Sequence, residues 1–542
     1  MTSEEHYPLR RELLLLTGLL LLAIALRFCR LGEWNFQATE IFTLRDSITL
    51  RPSNPRPLGY WLNYYLVKPF LPLDEFGLRL IPAIFGVLAI PAFYFVGRRL
   101  LGTRAAFFGA LLLTVSHVHV MYSQLARYWS LVFFLSAIYP YALYIGVRER
   151  NGRALALGVV IAVLAALAHP VAILLLVGPA FLLVAQLRRL HWTRIWSHTT
   201  ARWTVLLLVV VAVVVAWRFV PMLQGWISAH ERNPGASQFL HASFKHGVKQ
   251  IFFLMGFFEG LTLPVVLAGV VGIYLVWLER DKSLALFLAS LVVFPVVFLT
   301  LITLFAPSSQ YYLLPTVPVF FLGAGAFLDR LFAVDWRIQP RWLLPATVVA
   351  VMIAVGAPTL ISEYLNGRRY DFRSMAQWLE PRLTPGDIVF SDQPMVLAHY
   401  LPATSVQHLR ADTAPLMQSV RALEQAAVGG ALWIVAPSQG HTFRTNLRRG
   451  GLIDWIYENC QLRNISGKGR LDFRQQYLQI YRCPPAAARV FRVQQSASGS
   501  RSKIPPRNPP AAGSTLAPAE ASRWCKAAQR KRYSPSCSTE SA

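Results

Sequence analysis

Charge is scarce in this sequence. Only 15% of its 542 residues are Asp, Glu, Lys or Arg, whereas soluble proteins carry about 25%. Hydrophobic residues make up 54% of the chain, and the mean hydropathy is +0.41. This composition excludes an ordinary soluble enzyme. It predicts a polytopic membrane protein, because apolar runs long enough to cross a bilayer recur along the chain.

Cysteine and acidic residues are also few. Five cysteines are too few for a disulfide scaffold in a chain of this length. The 27 acidic residues face 53 Lys and Arg, which leaves a formal net charge of +26. In a soluble protein this excess would favour nucleic acid as a partner. Here much of it lies in short loops and in the tail, so we interpret it as topology-determining charge that also meets lipid headgroups, and expect no nucleic-acid partner.

What the sequence has in abundance is apolar runs of roughly 20 residues. No small-residue cleavage site follows the first run, so we interpret it as a membrane span rather than a signal peptide. The predicted spans are Glu12–Phe28, Phe76–Val96, Ala105–Met121, Ser130–Val147, Ala154–Ala168, Val171–Leu187, Val205–Val220, Leu261–Leu278, Leu284–Phe305, Leu313–Leu331 and Leu343–Ile361.

The loops between these spans alternate in charge. One set is rich in arginine, as at Arg98 and Arg99, whereas the short members of the other set, such as His169-Pro170, hold almost none. The positive-inside rule therefore predicts a cytoplasmic N-terminus. Because the number of predicted spans is odd, the C-terminal region is expected outside the cytoplasm.

Three parts of the chain differ in pattern. Residues 1–361 are predicted to form a transmembrane module, whose first external loop, 31–75, carries an aromatic interfacial stretch, "PLGYWLNYYLVKPF". Residues 362–483 alternate helix-like segments ("RSMAQWLEPRL", "PLMQSVRALEQAA") with strand-like ones ("DIVFSD", "ALWIVAP"). Residues 484–542 are rich in Pro, Ser, Ala and Arg and are predicted to be disordered. The predicted fold class is an all-α polytopic membrane protein of about 11 transmembrane helices with a C-terminal extracytoplasmic α/β domain.

Two cysteines flank strand-like stretches in that domain. Cys460 opens "CQLRNISGKGR" and Cys483 closes "FRQQYLQIYRC". An exported domain lies in an oxidising compartment, so we expect these two cysteines to form a disulfide.

A few ionisable residues stand at the predicted external ends of the spans, where each needs a role or a partner. Glu40 follows the first span, and Asp46 is an alternative acid on the same predicted helix. Arg127, close to Gln124, lies in an otherwise uncharged turn, and His169 separates two apolar runs. Taken singly, each also fits a structural role: a solvated carboxylate, a snorkelling arginine or a helix-end histidine.

Taken together, these residues form a chemically coherent set. A carboxylate that can deprotonate a hydroxyl and cations that can hold a phosphate are predicted on one face of the membrane. Such a set suits the transfer of a sugar from a lipid phosphate, because the leaving phosphate needs fixed positive charge.

The residues from Trp34 to His169 also carry a family pattern. They include "PLGYWLNYYL", an Arg-Leu-x-Pro helix in "FGLRLIPAIFGVLAIPAFYFVGRRLLGTRAAFFGALLLTVSHVHV", and the turn "MYSQLARYWSL". This pattern resembles the GT-C superfamily of polyprenyl-phosphate-sugar-dependent glycosyltransferases, in particular bacterial relatives of protein O-mannosyltransferase and of the lipid A aminoarabinose transferase. A looser similarity continues through "SSQYYLLPTVPVFFLGAGAFLDRL".

The resemblance implies inverting sugar transfer at the extracytoplasmic face of the bacterial cytoplasmic (inner) membrane. It implies a polyprenyl-phosphate-linked sugar as donor and a lipid, glycan or protein as acceptor. The expected catalytic base is Glu40, and the residues expected to bind the donor phosphate are Arg79, Arg127 and His169. The residues expected to shape the substrate groove are Tyr60, Trp61, Tyr122, Gln124 and Tyr128.

The sequence departs from the family at four places. Thr39-Glu40 stands for Asp-Glu, and Leu125 replaces a carboxylate in the Gln-Glu-Ala-Arg turn. Pro55-Arg56-Pro57-Leu58 stands where His-Pro-Pro-Leu is common, and Tyr311-Tyr312-Leu313 replaces Arg-Tyr-Leu. The chain therefore indicates no certain cofactor, although a divalent metal stays open.

Two other functions are compatible with these residues. A transporter or lipid flippase would be expected to show inverted repeats and paired half-helices, which the sequence does not display. A catalytically inactive relative that acts as a scaffold is consistent with Thr39 and Leu125. No motif identifies the sugar or the acceptor.

Overall fold

A computed structural model of the chain describes most of its apolar segments and parts of the C-terminal region. The described residues are 9–50, 56–180, 252–302, 309–335, 340, 342–367, 370–404, 406–408, 430–437, 452–466 and 477–484. Contacts divide the chain into a unit Met1–Pro485 and a unit Ala486–Ala542. All described residues lie in the first unit.

The described segments before residue 367 are mainly helical. Their helices are α1 (Leu9–Phe28), α2 (Ala38–Ile48), α3 (Pro57–Leu62), α4 (Glu75–Leu101), α5 (Thr103–Val115), α6 (His117–Ser123), α7 (Trp129–Ser136), α8 (Tyr139–Arg148), α9 (Gly152–Ala168), α10 (Phe252–Leu261), α11 (Leu263–Glu279), α12 (Lys282–Ile302), α13 (Val317–Ala333) and α14 (Leu343–Asn366). A π-helical turn, Asn63–Val67, extends α3, and 3₁₀ segments cover Pro170–Leu176 and Gln310–Thr316.

Several of these segments match predicted spans. Within the described ranges, five are long and apolar enough to cross a membrane, or six if a bent pair counts as one span. The five are Glu75–Leu101, Trp129–Arg148, Lys282–Leu301, Gln310–Ala333 and Leu343–Leu365. The predicted span Val205–Val220 lies outside the described residues, so the count of eleven stays a prediction.

One predicted span, Ala105–Met121, is not a continuous helix. The structure divides it into α5 and α6, which are bent by 61°. Ser116 between them has an extended backbone, with φ −64° and ψ 118°, so the helical hydrogen-bond ladder stops there. Hydropathy averages over such a break, because the side chains on both sides of it are equally apolar.

Helices α11 and α13 pack through glycine. A Cβ atom added to Gly272 would lie 1.8 Å from the carbonyl oxygen of Gly323, and one added to Gly323 would lie 2.2 Å from that of Gly269. Only residues without a side chain permit this backbone contact. Small residues at helix interfaces are typical of membrane bundles, where close van der Waals packing drives association.

The ends of three helices meet at one carboxylate, Asp329 on α13. Arg104 of α5 donates from Nε to Asp329 Oδ1 over 2.5 Å, and Arg280, which follows α11, donates to Oδ2 over 3.0 Å. Arg104 and Arg280 belong to the arginine-rich loops that predict a cytoplasmic face. These arginines therefore also link the ends of helices. The carboxylate is mostly buried, with 15% of its side chain exposed, which reduces solvent screening of the contact.

The region after α14 contains a mixed sheet. Its elements are α15 (Phe372–Leu379), β1 (Ile388–Ser391), α16 (Pro394–Tyr400), β2 (Val406–His408), β3 (Leu432–Pro437), α17 (Leu452–Asn459), β4 (Gln461–Ser466) and β5 (Leu478–Cys483). The strand order is β2-β1-β3-β5-β4. Strands β2, β1 and β3 are parallel; β5 pairs antiparallel with β3, and the edge strand β4 pairs antiparallel with β5.

The strand predictions for this region are confirmed. "DIVFSD" and "ALWIVAP" contain β1 and β3, and all six residues of β3 are buried, as a central strand requires. The predicted disulfide is also present, since Cys460 and Cys483 are joined. The predicted amphipathic helix "PLMQSVRALEQAA" and the tail after Pro484 lie outside the described residues. The extracytoplasmic location of this region stays a prediction.

Candidate functional site

Glu40 lies at the start of α2 and is fully buried. It is the third residue after the cap Gln37, and its Oε2 accepts a hydrogen bond from the Gln37 amide over 2.8 Å. Arg79 donates to both carboxylate oxygens, over 3.0 and 3.2 Å. The amide of Ala126 supplies a further hydrogen bond to Oε1, over 2.8 Å. Four donors thus occupy the lone-pair directions of this carboxylate.

Arg79, on α4, is 1% exposed. Besides its two bonds to Glu40, it donates to the carbonyl oxygens of Leu31, Trp34 and Asn35 over 2.8–3.1 Å. All five N–H donors of this guanidinium are therefore engaged. In this conformation the Glu40–Arg79 pair shapes the loop that precedes α2. The predicted roles of Glu40 as base and Arg79 as phosphate ligand stay predictions, and each requires the pair to open.

A second basic group lies on the other side of α2, around Tyr128. Arg127 donates to the Thr39 carbonyl and to Thr43 Oγ1, each over 3.0 Å. Tyr128 Oη accepts from Arg127 over 3.0 Å and from Arg56 over 2.6 Å. Two guanidinium groups therefore meet at one phenol oxygen. Within the described residues, Arg127 has no carboxylate partner.

His169, the cap of α9, completes this group. Its ring stacks on Tyr128 with centroids 5.1 Å apart and lies 4.8 Å from the ring of Trp129 and 5.7 Å from that of Tyr312. Nδ1 accepts from the Val171 amide over 3.1 Å, so the neutral ring carries its proton on Nε2. Burial lowers the pKa of His169, and the charges of Arg56 and Arg127 lower it further.

The other ring nitrogen of His169 lacks such a contact. Nε2 is buried and has no hydrogen-bond partner among the described residues. An unsatisfied buried donor beside two cations is costly without a ligand. An anion would accept from this donor and balance the charge of Arg127. We name Arg56, Arg127, Tyr128 and His169 the cationic cluster.

A cleft opens beside the cationic cluster. It is lined by Thr43, Gly59, Tyr60, Asn63, Ile81, Pro82, Arg127, Tyr128 and Leu131. The rings of Tyr60 and Tyr128 meet edge to face, with centroids 6.5 Å apart. Two of the predicted groove residues, Tyr60 and Tyr128, therefore lie together with Arg127.

The other predicted groove residues lie elsewhere. Trp61 is 42% exposed on α3, and Tyr122 borders a different cavity. Gln124 donates from Nε2 to the carbonyls of Leu26, Arg27 and Cys29 over 2.9–3.3 Å, which satisfies the C-terminal end of α1. Asp46 contacts Arg45 over 3.3 Å on the same helix as Glu40. The groove roles of Trp61, Tyr122 and Gln124 stay predictions.

Sequence reasoning did not select several members of this site. Arg56, Tyr311 and Tyr312 were noted only as departures from the family pattern, yet Arg56 and Tyr312 contact Tyr128 and His169. The available signal was that Pro55-Arg56-Pro57-Leu58 stands for His-Pro-Pro-Leu, so a basic residue remains in this segment although the histidine is lost. Among the described residues, no group of three or more His, Cys, Asp or Glu is arranged to hold a metal ion.

Helices α15 and α16 also hold the loop that precedes α2. Tyr400 Oη accepts from the Phe36 amide over 2.7 Å and donates to Glu75 Oε1 over 2.6 Å. Arg373 forms an ion pair with Glu75, and the ring of His399 lies 5.4 Å from that of Phe36. The loop is thus fixed by Arg79 on one side and by α15 and α16 on the other.

Part of the chain matches a known protein family. Residues 53–217 match the family model described as dolichyl-phosphate-mannose-protein mannosyltransferase. This range contains all four residues of the cationic cluster. The resemblance to the GT-C glycosyltransferases is confirmed. None of the curated proteins matches this chain in sequence.

Two solved structures share the fold. ArnT from Cupriavidus metallidurans in the apo state is 17% identical, with a TM-score of 0.53 over 88% of this chain and 98% of that one. The archaeal oligosaccharyltransferase AglB from Archaeoglobus fulgidus, in complex with an inhibitory peptide and a dolichol-phosphate, is 12% identical. Its TM-score is 0.53, over 86% of this chain and 74% of that one. At these identities the likeness shows a shared fold, and together with the apolar helices it indicates a multi-pass membrane protein.

Proposed function

We propose that this protein is an integral membrane glycosyltransferase that uses a polyprenyl-phosphate sugar. The sugar would pass to an extracytoplasmic lipid, glycan or protein acceptor by inverting single displacement. The cationic cluster is the observation that supports this best, since Arg56 and Arg127 converge on Tyr128 beside an unsatisfied His169 Nε2. Guanidinium forks match phosphate oxygens in geometry and charge.

In this proposal the cationic cluster binds the leaving group. The bond between the sugar C1 and the phosphate oxygen breaks as the acceptor oxygen bonds to C1 from the opposite face. The phosphate gains negative charge in the transition state. Arg56 and Arg127 stabilise that charge because they are held in place before the reaction, and Nε2 of His169 supplies a neutral hydrogen bond.

The acceptor proton needs a base, and Glu40 is the proposed one. Its carboxylate receives four hydrogen bonds in the described conformation, so no lone pair is directed at an acceptor hydroxyl. Proton transfer to Glu40 therefore requires the contact with Arg79 to open when the acceptor binds. Asp46, six residues along the chain, is not expected to take part.

The proposed location is the bacterial cytoplasmic membrane, with the cationic cluster on the extracytoplasmic face. The alternation of arginine between loops supports this orientation. Arg104 and Arg280 lie at the helix ends that meet at Asp329, whereas His169-Pro170 is a short member of the opposite set of loops and holds no Lys or Arg.

The direct test is binding and transfer by the purified protein. Arg127→Ala should weaken binding of undecaprenyl phosphate by about 10–100-fold, because a charged hydrogen bond to phosphate is lost. Arg99→Ala is the matched control, since Arg99 is an exposed arginine paired with Glu149. Binding should be followed by fluorescence quenching, and transfer by release of radiolabelled sugar from the lipid.

Three results would contradict the proposal. Equal binding by Arg127→Ala and wild type would remove the cationic cluster as phosphate site. Tight binding without transfer to lipid, glycan or peptide acceptors would favour an inactive scaffold. Movement of intact lipid-linked sugar across a vesicle bilayer, without transfer, would favour a flippase.

A further inference from the structure

Asn63, in the cleft beside the cationic cluster, has a buried polar atom without a partner. It is 3% exposed and lines this cleft together with Arg127 and Tyr128. Its Nδ2 donates to Ser47 Oγ over 3.2 Å, whereas its Oδ1 has no hydrogen-bond partner among the described residues. A buried acceptor that stays unpaired costs free energy. A ligand with a hydrogen-bond donor would remove this cost.

The local backbone holds Asn63 at the cleft. Asn63 begins the π-helical turn Asn63–Val67, and its carbonyl oxygen accepts from the Lys68 amide over 2.9 Å. Single turns of this kind are rare and occur frequently at functional sites. Gly59, four residues earlier, lets α3 lie against Tyr128, because a Cβ atom there would be 3.2 Å from Tyr128 Cβ. The element that carries Asn63 is therefore packed on the cationic cluster.

The other polar groups of the cleft are already engaged. Thr43 Oγ1 accepts from Arg127, and Tyr128 Oη accepts from Arg127 and from Arg56. Asn63 Oδ1 differs from these oxygens because it is an acceptor that is still available. It requires an O–H or N–H donor, which a phosphodiester does not possess. The group that binds Asn63 is therefore a different part of the ligand from the phosphate.

The size of the cleft limits that group. Its free volume is about 10 Å³, which is close to the space that one water molecule needs. A whole sugar ring does not fit in this volume, but one hydroxyl group of a ring does. The rings of Tyr60 and Tyr128 line the same cleft, so apolar walls surround a small number of polar groups, as in ordinary ligand sites.

We propose that Asn63 selects the donor sugar by accepting a hydrogen bond from one of its hydroxyl groups. The inference rests on the proposed function, in which Arg127 binds the phosphate that is bonded directly to this sugar. It names the substrate class as a sugar with a free hydroxyl at the position that enters the cleft. A sugar without this hydroxyl leaves Oδ1 unpaired, and a sugar with an acetamido group at that position is too large.

Binding of lipid-linked sugars to the purified protein tests this role. The probes are undecaprenyl phosphate and undecaprenyl phosphate that carries mannose, glucose or galactose. The hexose that binds most tightly is then compared with its analogues that lack the hydroxyl at C2, C3, C4 or C6. Asn63→Leu removes the acceptor and keeps a branched side chain. Ser47→Ala is the matched control, because it removes the contact of Nδ2 and leaves Oδ1 in place.

Asn63→Leu should weaken binding of the hexose-linked lipid about fivefold, because one hydrogen bond is lost. Its affinity for undecaprenyl phosphate, which carries no sugar, should stay unchanged. One deoxy analogue should bind wild type about fivefold more weakly than the parent hexose does, yet bind Asn63→Leu as well as the parent does. This non-additive pair identifies the hydroxyl. An acetamido group in its place should weaken binding to wild type roughly tenfold or more, because the cleft is overfilled.

Three results would overturn the inference. Equal binding of the parent and all the deoxy analogues to wild type would show that no hydroxyl is recognised, and this measurement needs no variant. Additive losses from Asn63→Leu and every deoxy analogue would show that Asn63 binds at most a water. An equal loss in Ser47→Ala, or a loss of undecaprenyl phosphate affinity in Asn63→Leu, would make Asn63 a structural residue.

Undecaprenyl phosphate distinguishes this inference from the proposed function. If wild type binds undecaprenyl phosphate and any of these three results is found, the inference fails and the proposed function stands. If wild type binds neither undecaprenyl phosphate nor its hexose-linked forms, the proposed function fails and the inference fails with it.

Discussion

The buried pair of Glu40 and Arg79 supports a quantitative prediction. Glu40 is 0% and Arg79 1% exposed, and their shortest contact is 3.0 Å. Glu40→Gln leaves an uncompensated guanidinium in this site, and Arg79→Gln leaves an uncompensated carboxylate. Removing one partner of a buried pair costs about 3–5 kcal/mol, whereas neutralising both costs less, because no buried charge then lacks a counter-charge.

These energies correspond to measurable shifts in melting temperature. Unfolding entropies of about 2.1 cal/mol/K per residue give roughly 1 kcal/mol/K for a unit the size of Met1–Pro485. Each single variant should therefore melt about 3–5 °C below wild type. The double variant should melt at a higher temperature than the sum of the two single losses would give. Differential scanning fluorimetry in detergent measures all four proteins of this cycle.

The same cycle separates structural from catalytic roles. Sugar transfer should fall by roughly 10²-fold or more in Glu40→Gln, because the proposed base is removed. If the double variant regains stability but not transfer, Glu40 acts as base. If it regains both, Glu40 is a structural residue only. Unchanged melting of both single variants, or strictly additive losses, would refute the reasoning about the buried pair.

Four smaller predictions concern other parts of the chain. Asp46→Asn should leave transfer within about twofold of wild type, because the ion pair of Asp46 with Arg45 joins neighbouring residues of one helix and contributes little. Tyr400→Phe should lower stability by about 1–3 kcal/mol, since the Phe36 amide loses its acceptor, and limited proteolysis of the first loop should become faster. Burial raises the pKa of Asp392 to about 6, so the protonated carboxyl favours the folded state. The stability that this carboxyl contributes is present at low pH and is lost as the pH rises from about 4 through 6. In thermal melts, Asp392→Asn should abolish this dependence of stability on pH. Deletion after Pro485 should leave folding and transfer intact, and loss of either would show that the basic tail has a role.

Local patterns in the sequence determined much of the architecture. The apolar runs at α4, α12 and α14 are long enough to span a bilayer, and no other environment would accommodate them. The strands β1 and β3 followed from short apolar runs bounded by turn residues. Arg127 and His169 were recognisable because an ionisable group between apolar segments always needs a partner. All these inferences use neighbours along the chain.

The tertiary structure alone decided how these groups are combined. Glu40 and Arg79 are 39 residues apart, and only the packing of α2 on α4 shows that they neutralise each other. Arg56 belongs to the site because it donates a hydrogen bond to Tyr128, which lies 72 residues further along the chain. The bend at Ser116 also depends on which helix faces meet. Hydropathy cannot specify these features, because the side chains that pair across helices have independent positions in the sequence.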